Sequence, residues 1–239
     1  SIVLLYYVYP RYMPGAVSIL SNETTSNLIC RTITIWAIVL ASKAKYNQAL
    51  VAVLISSLFH PLEAVLAFPV IAAIGVAAQL ENDGNLKELV IKSLLWFVTI
   101  TVVVVVLLQN SIALNADDKE VLNNGFRQRL AHHWLPTITW FKWVMLFAVS
   151  IVGTVSLHIQ KNIYQMIGCL VGLVLFLGHY VLVSFTGETL LVSIEGVKLM
   201  IVPYIIWTLS FTGVGISYLT RLWKPGVRHP KVRLRRVFI

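Results

Sequence analysis

Apolar residues run in long segments along this chain, near positions 1–9, 28–42, 48–60, 62–80, 90–108, 142–157, 163–185 and 197–220. A full bilayer crossing takes about 20 such residues, so the shorter runs must extend into polar flanks, tilt, or be shielded by neighbours. The stretch from Gln48 to Leu80 is too long for one span and is interrupted by FHPLE. Pro61 cannot continue a helix from before it but suits the first turn of a new one. Glu63 then falls in that first turn, where a carboxylate can satisfy free N–H groups. The pattern therefore predicts two helices meeting at a tight corner at His60. The opening SIVLLYYVYP has no initiator Met and no basic n-region, and it is too short to span; it reads as the end of a truncated helix rather than a signal peptide. The expected fold is an all-α polytopic transmembrane bundle of about seven spans plus that truncated helix. A transmembrane domain would cover 1–220 of a longer protein, and a basic tail 221–239.

Composition supports the membrane reading. Hydrophobic residues make up 58% of the 239 positions and charged ones 12%, with a mean hydropathy of +0.81; a soluble domain is roughly half apolar and one quarter charged. The net charge of +9 would suggest nucleic acid in a soluble chain. Here it is first a topology signal, because lysine and arginine stay on the cytoplasmic side. One set of alternate loops holds Lys43, Lys45, Lys87, Lys92, Lys161 and the tail, twelve of the nineteen basic residues; the other holds seven. The richer set is assigned to the cytoplasm, although without the tail it holds only five. With the His60 split, four places share the non-cytoplasmic face: loop 10–27, the His60–Glu63 corner, the Arg127–Trp143 loop and loop 186–196. Were 48–80 a single broken span, the first part of the chain would invert and His60 would sit near mid-membrane.

The polar residues have bland and functional readings side by side. In FRQRLAHHWLPTITWFKW, Arg127, Arg129, His132 and His133 precede Trp134, Trp140 and Trp143. Snorkelling arginines and an aromatic belt explain this as an interfacial loop. Equally, arginine forks and a neighbouring histidine make an anion site, for which the phosphate of a lipid carrier is the obvious ligand. The adjacent histidines lack a second metal-ligand motif at standard spacing. His60 and Glu63 are good helix-start punctuation, yet intramembrane ionisable residues also line cavities, and the two could pair with the later arginines. Glu188 and Glu195 stand in TGETLLVSIEGVK, Glu195 placed for a local salt bridge with Lys198 and both placed as general bases near phosphate. Glu23 lies in SNETTSN, which also fits a glycosylation acceptor. Arg31, inside LICRTITIW, costs a few kcal/mol unless it lies near the outer boundary or faces a polar cavity, and is the leading intramembrane lining candidate. Gly168 and Gly172 mark close helix packing, and Cys30 and Cys169 read as packing residues. The tail suits an anionic inner leaflet, with nucleic acid the weaker alternative.

ALVAVLISSLFHPLEAVLAFPVIAA followed by FRQRLAHHWLPTITW resembles uncharacterised bacterial polytopic inner-membrane proteins in which a His-Pro corner precedes an Arg…His-His loop. These in turn look like the GT-C superfamily of polyprenyl-phosphate-dependent glycosyltransferases. The resemblance covers about residues 28–145. It implies transfer from a lipid-phosphate-linked sugar at the periplasmic face of the inner membrane, and the basic-residue count makes the tail cytoplasmic. The positions the resemblance carries across are His60, Arg127, Arg129, His132 and His133; with Arg31 from the residue reading they would bind substrate or phosphate, and Glu23, Glu188 or Glu195 would act as base. The family places its catalytic acid in the first non-cytoplasmic loop, which is where Glu23 stands. The competing expectation is a non-catalytic subunit or transporter component whose spans pack against protein partners.

Overall fold

The structure, a computed structural model, describes residues 26–112, 140–186 and 196–223. They form α1 (Ser26–Ser42), α2 (Tyr46–Ser57), α3 (Pro61–Leu80), α4 (Leu86–Ile112), α5 (Trp140–Ile159), α6 (Ile163–Thr186) and α7 (Ile201–Trp223), the last entered through a 3-10 turn at Gly196–Met200. No strand occurs among the described residues. The protein is an all-helical, multi-pass membrane bundle. Helices α3 to α7 are long and apolar enough to cross a bilayer. The 12 residues of α2 rise only about 18 Å, against a hydrocarbon core of about 30 Å. The expected run 1–9 and the tail from 224 lie outside the described residues.

The helix boundaries follow from local chemistry. His60 is the N-cap of α3: its backbone is extended, with φ −147°, and its imidazole accepts the Glu63 N–H, with Pro61 following at the first helical position. The expected split of 48–80 is therefore present. α4 starts before its apolar run because Asn85 Oδ1 accepts the N–H groups of Lys87 (3.0 Å) and Glu88 (3.4 Å), capping a first turn that is charged and exposed. The turns after α1 and α5 close in the same way. Lys45 N–H donates to Leu40 O at 2.9 Å and Asn162 N–H to Leu157 O at 2.9 Å, with Ala44 and Lys161 in the left-handed region at φ 58° and 59°. Both are Schellman closures built without glycine.

Cross-helix contacts give an up-and-down order. Cys30 lies against the His60 carbonyl and Arg31 against Glu63, so α1 begins where α3 begins. At the opposite end Gln79 donates to Ala44 O, Gln165 Nε2 lies 3.3 Å from Ser42 Oγ, and Tyr46 hydroxyl bonds to Ser93. α5 runs antiparallel to α6, with Trp143 4.7 Å from Tyr180 and 5.8 Å from Phe176 between ring centroids. α7 follows α5 on its other side: Gly153 faces Trp207, and Gln160 Nε2 donates to Ser210 O at 2.6 Å. The bundle thus has an Arg31 end and a Lys43 end. The Arg31 end receives the start of α1, the His60 corner, the far end of α4, the start of α5, the far end of α6 and the entry to α7.

α3 and α7 form the centre. In each, 61% of the apolar span is buried, against 17% in α4. α3 can occupy the middle because it is apolar all round and rich in small residues: Ala64, Ala67, Ala72, Gly75 and Ala78 are all buried. α4 instead turns Leu94, Leu95, Val98, Val102, Val105 and Val106 outward, a face that lipid accepts. Lipid supplies little drive for helices to associate, so close packing must hold them together. Gly168 and Gly172 do this as the small-residue spacing predicts. A Cβ on Gly168 would stand 2.5 Å from Ile74 Cγ1 and 3.1 Å from the Val70 carbonyl oxygen, and one on Gly172 would stand 2.6 Å from Pro203 Cγ. Ordinary carbon contacts are about 3.5–4.0 Å.

Gly168→Leu should therefore cost about 1–3 kcal/mol through overpacking. Gly178→Leu, where an added Cβ meets nothing within 4 Å, should leave stability unchanged or higher. Thermal unfolding of both variants in detergent checks the contrast.

Candidate functional site

The second turn of α1 and the first turn of α3 each carry one ionisable residue that lipid cannot solvate. Arg31 is 3% exposed and Glu63 6%. They meet fork to fork: Arg31 Nε–H donates to Glu63 Oε2 at 3.1 Å and Nη2–H donates to Oε1 at 2.6 Å. Each ion would cost several kcal/mol to bury alone, and only a bidentate geometry of this kind offsets it. The neighbourhood is polar and closed. Thr34, Ser56 and Ser57 are buried, and the Ser56 and Thr34 hydroxyls lie beside the thiol of Cys30, the residue before Arg31. Ser56 and Ser57 spend their hydroxyl protons on the Val53 and Leu54 carbonyls of their own helix.

His60 joins this pair to the corner. Glu63 N–H donates to its Nδ1 at 3.2 Å, so Nδ1 is an acceptor, as a neutral imidazole provides. Burial, the largest effect, lowers the His60 pKa; the Glu63 carboxylate opposes this, and Lys198 and Arg31 push it further down. Lys198, on the 3-10 turn before α7, is thereby an electrostatic neighbour of the corner although 138 positions separate them in sequence.

The arrangement limits the chemistry. Both Glu63 oxygens accept from Arg31, so Glu63 is not poised as a base, and a ligand phosphate would have to displace a carboxylate to use the same Arg31 donors. Arg31 and His60, both expected to contact substrate, are brought to one end of the bundle, with Arg31 bound to Glu63 and His60 acting as a helix cap. Glu23, Arg127, Arg129, His132, His133, Glu188 and Glu195 lie outside the described residues. The Arg31–Glu63 match is what sequence reasoning missed, since Glu63 was weighed only against the cap and the later arginines. The signal available was that both are ionisable residues near apolar runs, each costly there without an opposite charge. Among the described residues no cluster of three His, Cys, Asp or Glu side chains could hold a metal ion.

Fold and site together define the class: a multi-pass helical membrane protein with a buried arginine–glutamate clamp at one end. No family model, curated protein or solved structure matches the chain.

Removing one partner of the clamp should be far worse than removing both. Arg31→Met or Glu63→Met alone is expected to cost about 3–5 kcal/mol, while the two combined should recover most of that loss. Unfolding midpoints of the two single variants and the double variant form the test, and additive losses would sink the pairing.

The lowered His60 pKa also fixes a sign. Above the ordinary histidine value of 6.5 both folded and unfolded chains hold it neutral, and the stability is fully present. As pH falls through that value the unfolded chain takes up a proton first, so stability should decline until the folded imidazole also protonates. The unfolding midpoint should drop between pH 7 and 5 in the wild type and less in His60→Asn, which keeps a capping acceptor.

Proposed function

We propose that this protein binds a lipid-linked phosphate at the Arg31 end of the bundle and transfers the glycosyl unit it carries, as the resemblance to GT-C proteins implies. Arg127 and Arg129 would hold the phosphate, with His132, His133 and His60 supplying hydrogen bonds or a proton. Glu23, Glu188 or Glu195 would take the proton of the acceptor hydroxyl as its oxygen bonds to the anomeric carbon, the sugar–phosphate bond breaking with its electron pair leaving on the phosphate. Arg31 moves, in this reading, from ligand-binding to positioning: clamped by Glu63, it steadies the corner that carries His60.

One observation carries the reading. The alternation of the helices brings the start of α1, the ends of α4 and α6, and the starts of α5 and α7 to the same end as the clamp. The segments bearing the seven remaining candidates all join the bundle there. The excess of basic residues in the opposite set of loops and the tail supports a bacterial inner-membrane orientation with the Arg31 end periplasmic and the tail cytoplasmic.

A second reading has its own support. The clamp is closed and its charges are mutually satisfied, which is how a structural device in a non-catalytic subunit or transporter component would look. Purified protein in nanodiscs, supplied with a polyprenyl-phosphate-linked sugar, separates the two. The enzyme reading expects consumption of the sugar donor by the wild type and a loss of about 100-fold or more in the Arg127→Ala, Arg129→Ala double variant. Unchanged turnover in that variant removes the phosphate role. An inert wild type that co-purifies with stoichiometric partner chains supports the subunit.

A further inference from the structure

At the Lys43 end, three turns distant in sequence enclose a cleft of about 640 Å³. The turn after α1 contributes Lys43 and Lys45, the end of α3 contributes Glu81 and Asn82, and the turn between α5 and α6 contributes Lys161 and Asn162. A smaller hollow of about 240 Å³ adjoins it at Ala44 and Lys45 and adds Lys92, with no acidic residue in its lining. Among the described residues that line the two, four lysines accompany one glutamate. The first turns of α2 and α6, which border the cleft, carry no carboxylate either. The lysine positions are set by the backbone: Lys43 and Lys45 flank the left-handed Ala44, and Lys161 is itself the left-handed residue of its turn.

We propose that this cleft binds the phosphate headgroup of an anionic membrane lipid, and prefers a monoester headgroup such as that of phosphatidic acid to a diester. Lysine ammonium groups are compact, rotatable point charges that suit phosphate oxygens, and basic pockets between spans at a membrane boundary are suited to anionic headgroups. The lipid source follows from the wall. Ile163 lines the cleft and is 47% exposed at the start of a spanning helix, so a molecule seated on the lysines continues onto an apolar, lipid-facing surface. A monoester carries up to two negative charges, which the net two positive charges of the cleft's own Lys43, Lys45, Lys161 and Glu81 match better than they match the single charge of a diester. The site lies at the opposite end from the clamp and does not depend on the glycosyl-transfer reading.

The test uses the full chain in phosphatidylcholine nanodiscs doped with phosphatidic acid or phosphatidylglycerol. Native mass spectrometry reads retained lipid, and thermal unfolding reads stabilisation. Phosphatidic acid should be retained and should raise the unfolding midpoint, with affinity falling about fivefold for each of Lys43→Gln, Lys45→Gln and Lys161→Gln. Glu81→Gln should tighten binding, a gain that damage to the fold would not produce. Equal retention by the triple lysine variant, or an unchanged Glu81→Gln, overturns the site. Inorganic phosphate that stabilises the protein as well as phosphatidic acid does overturns the lipid assignment, and equal retention of phosphatidylglycerol overturns the monoester preference.

Discussion

Arg31 and Glu63 are joined by two charge-assisted hydrogen bonds, at 2.6 and 3.1 Å, in a place where neither residue can be solvated. In hydrocarbon an ion must find its opposite or take water with it, and a backbone must satisfy its own polar groups. The clamp meets the first requirement and the His60 cap the second, within one turn of chain. Together they fix the start of α1 against the start of α3. α2 is then confined to the space between them, too short to cross alone, and the chain must turn back at the His-Pro step. α3 is then the surface on which α4, α6 and the 3-10 turn before α7 pack, and α5 is held in turn by α6 and α7.

Packing spreads that constraint through the rest of the bundle. With little hydrophobic drive inside a bilayer, contact quality decides. α6 reaches α3 through Gly168, and α5 reaches α7 through Gly153. Between α5 and α7 the polar link of Gln160 to Ser210 adds direction to what would otherwise be smooth apolar surfaces. The face of α4 that no described residue covers shows what the same residue types do when nothing packs on them.

Much of this was legible in the sequence, for identifiable reasons. Hydropathy marks where lipid is, so 62–80 and 163–185 were expected close to the observed Pro61–Leu80 and Ile163–Thr186. It marks helix ends poorly wherever a helix continues into charge. α4 starts at Leu86, four residues before the apolar run, because Asn85 caps a turn containing Lys87 and Glu88 that stands beyond the hydrocarbon. The His60 corner was visible because proline has no amide proton and an acid follows it. The clamp was not, although both members were singled out. Which carboxylate meets which arginine depends on the relative depth and rotation of two helices 32 positions apart, and apolar periodicity carries neither. The lysine cleft was hidden for a related reason. Its residues were counted for topology, and a count does not say that three separate turns surround one volume.

The two ends use positive charge in opposite ways, and depth accounts for the difference. Arg31 sits where the dielectric is low, so its planar fork is committed to a carboxylate and its charge is cancelled within hydrogen-bond distance. Lys43, Lys45 and Lys161 are exposed at the ends of helices, where an ammonium group stays hydrated and its field reaches about a Debye length into the headgroup layer. Exchanging the two residue types would fail at both places. A lysine at position 31 would offer a single point charge to two carboxylate oxygens, and it would more readily give up its proton in that setting. An arginine at position 161 would keep its charge but replace a compact, rotatable ammonium with a planar fork in a turn that already holds a left-handed residue. The chain therefore separates a neutralised clamp, where ionisable groups hold helices in register, from a lysine-lined cleft, where ammonium groups face an anion.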